Sequence, residues 1–159
     1  MGKCAETLFE FVAIRIMDRM DLEDIIEIER LSFISPWTKG MFEDTIDSPV
    51  AKNFVLEKDK RVIGYIMLYS VEDEAHIMNI AIHPAHRRKG FGVYLVQHII
   101  EECSKDGITD FFLEVREGNT GAQGLYRTLG FSVIGKRKGY YRESGEDAYV
   151  MHMSLRKRG

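Results

Sequence analysis

The segment from residue 75 to residue 105 constrains the fold more than any other part of this 159-residue chain. It opens with AHIMNIAIH, whose apolar residues alternate as in a β-strand and which Pro84 ends. Three cations and two glycines follow in RRKGFG (87–92), and apolar residues at helical spacing continue to about Lys105. A strand, a cationic glycine turn and a helix in this order predict an α/β arrangement with a binding site at the turn.

The cationic turn predicts a negatively charged ligand. A helix N-terminus already presents unpaired N–H groups and the positive end of the helix dipole, so Arg87, Arg88 and Lys89 are unfavourable there without an anion. A Walker A loop needs Lys and then Ser or Thr after its last glycine, and a dinucleotide fingerprint needs glycine where this chain has Leu95. A pyrophosphate bound by backbone N–H groups fits the turn. A tight turn with solvated cations is the alternative.

The remaining segments predict one strand, two helices, three strands, a helix, a strand, a helix and two strands. Helices that connect apolar strands favour parallel neighbours at the two helical crossings, and hairpins favour antiparallel neighbours elsewhere. We therefore expect a mixed α/β sheet covered by helices, in a single domain of residues 1–159. The predicted strands cover 11–17, 75–83 and 109–116, with two more in 53–73 and two in 131–155, and the predicted helices cover 21–33, 39–47, 90–105 and 119–130.

Composition excludes several functional classes. The chain is 45% hydrophobic and 30% charged with a net charge of −3, so we expect no direct contact with nucleic acid. No apolar run approaches the ~20 residues of a membrane span, and MGKCAE at the start carries Glu6 where a myristoylation signal needs Ser or Thr. Cys4 and Cys103 suggest no disulfide, which fits a reducing cytoplasm. The histidines lack the spacing of a zinc site, so no metal is expected, and the basic RKRG end is expected to be a solvated tail.

Three stretches resemble one enzyme superfamily. Arg87-x-x-Gly90-x-Gly92, between a strand and an amphipathic helix, resembles the acyl-CoA-binding motif of the GNAT N-acetyltransferases. LEVREGNTGAQGLYRTLGF (113–131) is similar to the protein N-terminal acetyltransferases. SPWT (35–38) and GYYRESGEDAYVM (139–151) resemble the bacterial ribosomal-protein-alanine N-acetyltransferases (RimI type), with the archaeal N-terminal acetyltransferases as nearest relatives. The resemblance, which covers about 13–155, implies a GNAT fold: a mixed, mostly antiparallel seven-stranded sheet with a parallel splayed pair and four helices.

The resemblance implies acetyl-CoA as co-substrate. MNIAIHP (78–84) looks like the family's splayed strand, whose backbone binds the pantetheine arm, and the glycine turn would hold the pyrophosphate. Asn119 would cap a helix and touch the pantetheine. The residues so implied in cofactor binding are Ile80, Ala81, Ile82, Arg87, Arg88, Lys89, Gly90, Phe91, Gly92, Val93 and Asn119.

The implied reaction is a direct attack by the N-terminal amine of a protein on the thioester, in a ternary complex. By the resemblance, Glu114 is the general base and Tyr126 is the general acid that protonates the coenzyme sulfur. The residues alone leave alternatives: an acid within FFLEVR either faces a cleft or pairs with a cation such as Arg116 or Arg142, and Tyr126 could be a core aromatic. N–H groups of residues 80–82 could polarise the thioester carbonyl.

An acceptor groove is expected between FISPW and the GYY hairpin, with Pro36, Trp37, Tyr140 and Tyr141 as substrate-binding residues. Glu29 is either a group that binds the incoming ammonium or part of a charged helix face. Two other functions remain open: acetylation of a small amine or a lysine side chain, and a non-catalytic acyl-CoA-binding module.

Overall fold

The fold is described from a computed structural model over residues 11–156. Cys4, Glu6 and the last three residues of the basic tail lie outside the described residues. The strands are β1 (Val12–Ile16), β2 (Ala51–Lys58), β3 (Arg61–Val71), β4 (Glu74–Ile82), β5 (Asp110–Arg116), β6 (Ser132–Tyr141) and β7 (Glu146–Ser154). The helices are α1 (Leu22–Ser32), α2 (Lys39–Asp47), α3 (Phe91–Lys105) and α4 (Thr120–Thr128), with 3₁₀ turns at Arg19–Asp21 and Pro84–His86.

The helix boundaries follow from local chemistry. Thr38 accepts a hydrogen bond from the Met41 N–H at the start of α2, and Asn119 accepts one from the Ala122 N–H at the start of α4. Gly90 precedes α3 with φ of 86°, a left-handed conformation that glycine adopts without steric cost. The predicted N-cap role of Asn119 is confirmed.

The strands form one seven-stranded sheet in the order β1-β2-β3-β4-β5-β7-β6. All neighbouring pairs are antiparallel except β4 and β5, which are parallel. The predicted mixed sheet with one parallel pair and four helices is therefore confirmed. The expectation of parallel neighbours at the second helical crossing was wrong, because β7 folds back and pairs between β5 and β6.

The parallel strands β4 and β5 separate part-way along their length. They are paired from Glu74 and Asp110 to Ile77 and Leu113, and β4 then continues to Ile82 along β3 alone. At this point the register shifts: Met67 pairs with Asn79 and Leu68 with Ile77, so Met78 is an extra residue in β4. A β-bulge bends its strand and increases its twist. The bulge at Met78 thus explains why β4 and β5 separate at this point.

Two hydrophobic clusters cover opposite faces of the sheet. Alternate residues of a strand point to opposite faces; accordingly, Ile66 and Leu68 pack with α3 and α4, while Tyr65 and Met67 pack with α1 and α2. The predicted buried face of α3 is confirmed at Leu95, Val96, Ile99, Ile100 and Cys103. Burial raises the pKa of the Cys103 thiol to about 11. Within residues 11–156, no helix is both long and apolar enough to cross a membrane.

Candidate active site

A cleft of about 740 Å³ opens where β4 and β5 part. Its floor consists of the parts of β4 and β5 that no longer pair with each other, and its walls come from the α1–α2 connection, the start of α4 and the β6–β7 hairpin. It is lined by Glu29, Ser32, Phe33, Ile34, Ser35, Trp37, Ile77, Met78, Asn79, Ile80, Leu113, Glu114, Val115, Arg116, Gly118, Asn119, Ala122, Tyr126, Tyr141, Glu143 and Glu146. Clefts that combine apolar walls with a few convergent polar groups are the usual sites of small-molecule binding.

Glu114 reaches this cleft from the middle of β5. In this strand Leu113 and Val115 point into the core, so Glu114 lies on the opposite face. Its side chain is 8% exposed. Both alternatives from the sequence hold in part, because Glu114 faces the cleft and also has a cationic neighbour. That neighbour is Arg137 of β6, with 3.4 Å between Nε and Oε1, and not Arg116 or Arg142, the two cations given as examples for this alternative.

Arg116 is engaged elsewhere in the cleft. Its guanidinium forms ion pairs with Glu143 and Glu146 and lies 3.9 Å from the ring centroid of Tyr141. A planar guanidinium that stacks on an aromatic ring while it donates to carboxylates is held in one position. Arg116 therefore fixes the β6–β7 hairpin against the end of β5 and cannot also pair with Glu114.

A histidine and a tyrosine extend the environment of Glu114 along the sheet. Nε2 of His76 lies 2.5 Å from Oε2 of Glu114, and Nδ1 of His76 lies 2.8 Å from the Tyr69 hydroxyl. Tyr69 and His76 are directly opposite each other in the β3–β4 ladder. Neither residue is among those that line the cleft.

Tyr126 lies in α4 and lines the cleft from the side of that helix. Its ring packs against Phe131 with 5.8 Å between the centroids. Burial raises the pKa of the phenol well above its ordinary value, and the nearby Tyr141 adds to this. The hydroxyl forms no hydrogen bond with any residue of the described part of the chain, and it stays protonated at neutral pH. Tyr126 is thus a packed aromatic residue that also lines the cleft, with a phenol that carries its proton.

Glu29 is a second buried carboxylate at the same cleft, 1% exposed. It accepts hydrogen bonds from the Tyr65 hydroxyl, from Nδ2 of Asn79 at 2.9 Å and from the Trp37 N–H at 3.1 Å. Burial and the Glu29 charge raise the pKa of Tyr65 far above its ordinary value. Three donors satisfy this carboxylate, which joins α1, the α1–α2 connection, β3 and the bulged part of β4.

The four predicted substrate-binding residues divide into two pairs. Trp37 and Tyr141 line the cleft, and Pro36 and Tyr140 do not. Trp37 packs on Phe42 with 5.3 Å between ring centroids. Tyr140 is 46% exposed, and partial burial together with the Glu114 charge raises the pKa of its phenol. Tyr140 therefore lies within electrostatic range of Glu114 without lining the cleft.

The cationic glycine turn lies next to the outer end of β4. The Arg87 guanidinium donates to the Ile82 carbonyl at 2.8 Å and to the Ser32 hydroxyl at 2.7 Å, so it braces the end of α1 against β4. Arg88 has φ of 61°, which is unusual for a residue with a side chain. A Cβ on Gly92 would lie 2.9 Å from Cδ1 of Leu125, so glycine lets α3 and α4 approach closely.

Among the predicted cofactor residues, Ile80 and Asn119 line the cleft, whereas Ala81, Ile82 and residues 87–93 are not among its lining residues. Ala81 is buried in the cluster under α1 and α2. The structure thus brings Ile80, Glu114, Asn119 and Tyr126 together in one cleft, with the glycine turn at the continuation of β4 beyond it.

A comparison with protein families decides the family. The model of the acetyltransferase (GNAT) family matches residues 22–131. The chain belongs to this family. It is 40% identical over 144 residues to a candidate [ribosomal protein bS18]-alanine N-acetyltransferase of Bacillus subtilis (strain 168), covering 90% of this chain and 95% of that protein.

Further relatives agree with the GNAT assignment. The chain is 32% identical over 141 residues to the [ribosomal protein bS18]-alanine N-acetyltransferase of Escherichia coli (strain K12), covering 87% of this chain and 95% of that protein. The crystal structure of the E. coli enzyme superposes with a TM-score of 0.86 at 31% identity, covering 93% of this chain and 96% of that one. Ard1 from Thermoplasma volcanium gives a TM-score of 0.86 at 25% identity, covering 92% and 99%. The predicted family and enzyme class, an N-acetyltransferase, are confirmed.

The residues around the two buried carboxylates of this acetyltransferase were not predicted from the sequence. Tyr69, His76 and Arg137 surround Glu114, and Tyr65 and Asn79 surround Glu29. Strand alternation indicates the face to which each side chain points, but the pairing register decides which of them meet. In β4 the bulge changes that register, and no pattern in the sequence marks it.

Proposed function

We propose that this acetyltransferase moves the acetyl group of acetyl-CoA to the N-terminal α-amine of a protein, with a ribosomal protein as the acceptor. One observation carries the proposal: a buried carboxylate, Glu114, and a protonated phenol, Tyr126, line the same cleft between parted parallel strands. The acceptor class is supported by the bS18-alanine N-acetyltransferases of B. subtilis and E. coli, which resemble this chain over almost their whole length. A ribosomal acceptor implies that the reaction takes place in the cytoplasm.

The coenzyme would lie along the parted edge of β4. Beyond Ile77 the edge of β4 that faces β5 has no strand partner, so its peptide groups can bond to the amides of a pantetheine arm. Ile80, Ala81 and Ile82 supply these groups, and Asn119 approaches the arm from α4. The pyrophosphate would bind to the N–H groups from Arg88 to Val93 at the start of α3, with the helix dipole and the exposed cations adding attraction.

The chemistry assigned to the cleft needs one base and one acid. Glu114 takes a proton from the substrate ammonium through a bridging water molecule, and the amine nitrogen attacks the thioester carbonyl carbon. N–H groups of residues 80–82 stabilise the oxyanion. The carbon–sulfur bond then breaks and the nitrogen releases its second proton to solvent, which leaves the amide. The thiolate takes a proton from Tyr126, and the phenolate regains one from solvent.

An N-terminal amine suits this arrangement better than a lysine side chain. An α-amine has an ordinary pKa of roughly 7.7–8.0, so about a tenth is neutral at pH 7, whereas a lysine with a pKa of roughly 10.4 is neutral in about one part in 2,500. A single carboxylate that acts through water is sufficient for the first but weak for the second. Trp37 and Tyr141 would pack against the first residues of an extended acceptor, and Pro36 and Tyr140 would border its path.

Release of coenzyme thiol from acetyl-CoA tests the proposal. We expect turnover with peptides that begin with Ala and vary at the first two residues. The matched control is the same peptide with a blocked N-terminus and one lysine. Faster thiol release with the lysine peptide or with polyamines would favour an acceptor of another class. Binding of acetyl-CoA without thiol release for any amine would support the non-catalytic module.

Calorimetry with acetyl-CoA tests the coenzyme site separately. Gly92→Glu adds a negative side chain at the start of α3, and we expect at least tenfold weaker binding because the pyrophosphate is repelled. Thermal unfolding of the same variant controls for the packing of α3 against Leu125. Undiminished affinity in a folded variant would contradict the assignment of the pyrophosphate to this turn.

A further inference from the structure

Glu114 is the last of three hydrogen-bonded side chains that lie side by side on β3, β4 and β5. Tyr69, His76 and Glu114 lie on the face of the sheet that α1 and α2 cover, and two hydrogen bonds connect them in this order. Tyr69 is 36% exposed, and the side chains of His76 and Glu114 are 24% and 8% exposed. These hydrogen bonds therefore connect the protein surface at Tyr69 with the carboxylate of Glu114, which lines the cleft.

The partners of His76 determine which ring nitrogen carries the proton. A carboxylate acts only as an acceptor, so Nε2 of His76 must be the donor to Oε2 of Glu114. In a neutral imidazole Nδ1 is then an acceptor, and the Tyr69 hydroxyl is the donor that fits it. The two contacts reinforce each other, because Glu114 requires the proton on Nε2 and the Tyr69 hydroxyl donates to the Nδ1 that this tautomer leaves as an acceptor.

This contact also determines how Glu114 is presented. Oε2 is held by His76, whereas Oε1 has the Nε of Arg137 at 3.4 Å, an ion pair without a hydrogen bond. Arg137 is more than half exposed and lies near the ring of Tyr140. The hydrogen bond from His76 thus occupies Oε2, and Oε1 is the oxygen that remains available to accept a proton.

We propose that His76 and Tyr69 are positioning residues for catalysis: Tyr69 holds His76 in the Nε2–H tautomer, and His76 fixes Glu114 so that Oε1 serves as the proton acceptor. The inference rests on the proposed role of Glu114 as general base. Neither Tyr69 nor His76 lines the cleft, so the proposed role of both acts through Glu114. Other enzymes likewise use a hydrogen-bonded neighbour to orient the side chain that acts as the base.

Steady-state kinetics of His76 variants test the proposal. His76→Leu removes the donor, and we expect kcat to fall about 10- to 100-fold, the range of a hydrogen bond to a charged group, with the KM values for acetyl-CoA and peptide unchanged. His76→Gln can donate to Glu114 and accept from Tyr69, so it should recover most of kcat. Tyr69→Phe should lower kcat by a few-fold. Circular dichroism confirms that each variant is folded. Equal losses in the Leu and Gln variants, or a changed KM with unchanged kcat, would overturn the proposal.

A double mutant separates this inference from the proposed function. If His76 acts through Glu114, His76→Leu should cost nothing further in a Glu114→Gln background. Losses that multiply in the double mutant would overturn the positioning role. If Glu114→Gln is inactive while His76→Leu is fully active, the positioning role fails and the assignment of the base stands. If Glu114→Gln retains full turnover, the assignment of the base fails and this inference with it.

Nitrogen chemical shifts give an independent readout. In protein labelled with ¹⁵N-histidine, the neutral imidazole of His76 should be the Nε2–H tautomer, and the missing signals in His76→Gln assign it. We expect Tyr69→Phe to produce a mixture of tautomers. A predominant Nδ1–H tautomer in the unaltered protein would overturn the proposal.

Discussion

Two buried carboxylates line the same cleft but have different surroundings. Glu29 receives three hydrogen bonds from the protein, including one from the Tyr65 hydroxyl. Glu114 receives one, from His76, and has a cation at 3.4 Å from its other oxygen. The nearby phenols follow the same division, because the Tyr65 hydroxyl is bonded to Glu29, whereas the Tyr126 hydroxyl has no hydrogen bond within residues 11–156.

The number of hydrogen bonds that each carboxylate receives supports a structural role for Glu29 and the proposed catalytic role for Glu114. Burial alone does not distinguish Glu29 from Glu114, since both are largely withdrawn from solvent. A carboxylate whose lone pairs are satisfied stabilises the elements that it joins, and cannot take a proton without losing those contacts. A carboxylate with an oxygen that accepts no hydrogen bond from the protein can exchange protons with a substrate.

The largest expected effect is on turnover in Glu114→Gln. The amide keeps the size of the side chain but cannot accept a proton, so kcat should fall by about 10²–10⁴, the usual contribution of a positioned base. Thermal unfolding should change little. Near-normal turnover between pH 6 and 9 would remove Glu114 from this role and abolish the contrast with Glu29.

Glu29→Leu should affect stability more than chemistry. It leaves Tyr65, Asn79 and the Trp37 N–H without their acceptor, and unsatisfied buried donors of this kind should lower the free energy of unfolding by about 3 kcal/mol. For a chain of this size the melting temperature should fall by about 10 °C. Chemical denaturation and calorimetry measure both quantities. Unchanged stability together with loss of peptide affinity would instead assign Glu29 to the binding of the substrate ammonium.

The two phenols offer a matched pair of smaller changes. Tyr126→Phe should lower kcat by about tenfold and leave acetyl-CoA affinity intact, because a coenzyme thiolate is a tolerable leaving group and a phenol of raised pKa releases its proton reluctantly. Tyr65→Phe is the control: it should lower stability by about 1 kcal/mol and keep kcat. Equal losses of turnover and coenzyme affinity in Tyr126→Phe would count against an acid at this position.

The smallest effect concerns the alkaline side of the pH profile. Burial raises the pKa of Tyr126, so this phenol remains protonated throughout the range in which the substrate α-amine becomes neutral. We expect kcat to rise to about pH 8.5 and then to remain level to about pH 10. If kcat declined between pH 8 and 9 and Tyr126→Phe abolished that decline, the pKa of the phenol would not be raised as its burial indicates.

Much of the fold follows from local pattern. The predicted helix 39–47 coincides with α2, and the other segments deviate at their ends by a few residues. The parallel neighbours expected at the second crossing were wrong, because strand order depends on how β7 folds back, which no local period encodes. The cation beside Glu114 was not identified from the sequence for a related reason: Arg116 is near in sequence, but it contacts Tyr141 and Glu143 instead, and Arg137 of β6 lies beside Glu114.

By itself, the sequence determined the elements, the glycine turn before α3 and the family, because capping residues, hydrophobic periods and motif spacings act over short stretches of chain. The tertiary structure alone decided what surrounds each carboxylate. Glu29 and Asn79 are 50 residues apart, and His76 and Glu114 are 38 residues apart. Contacts over such distances depend on strand order and on the bulge at Met78, and through them on the packing of the whole sheet.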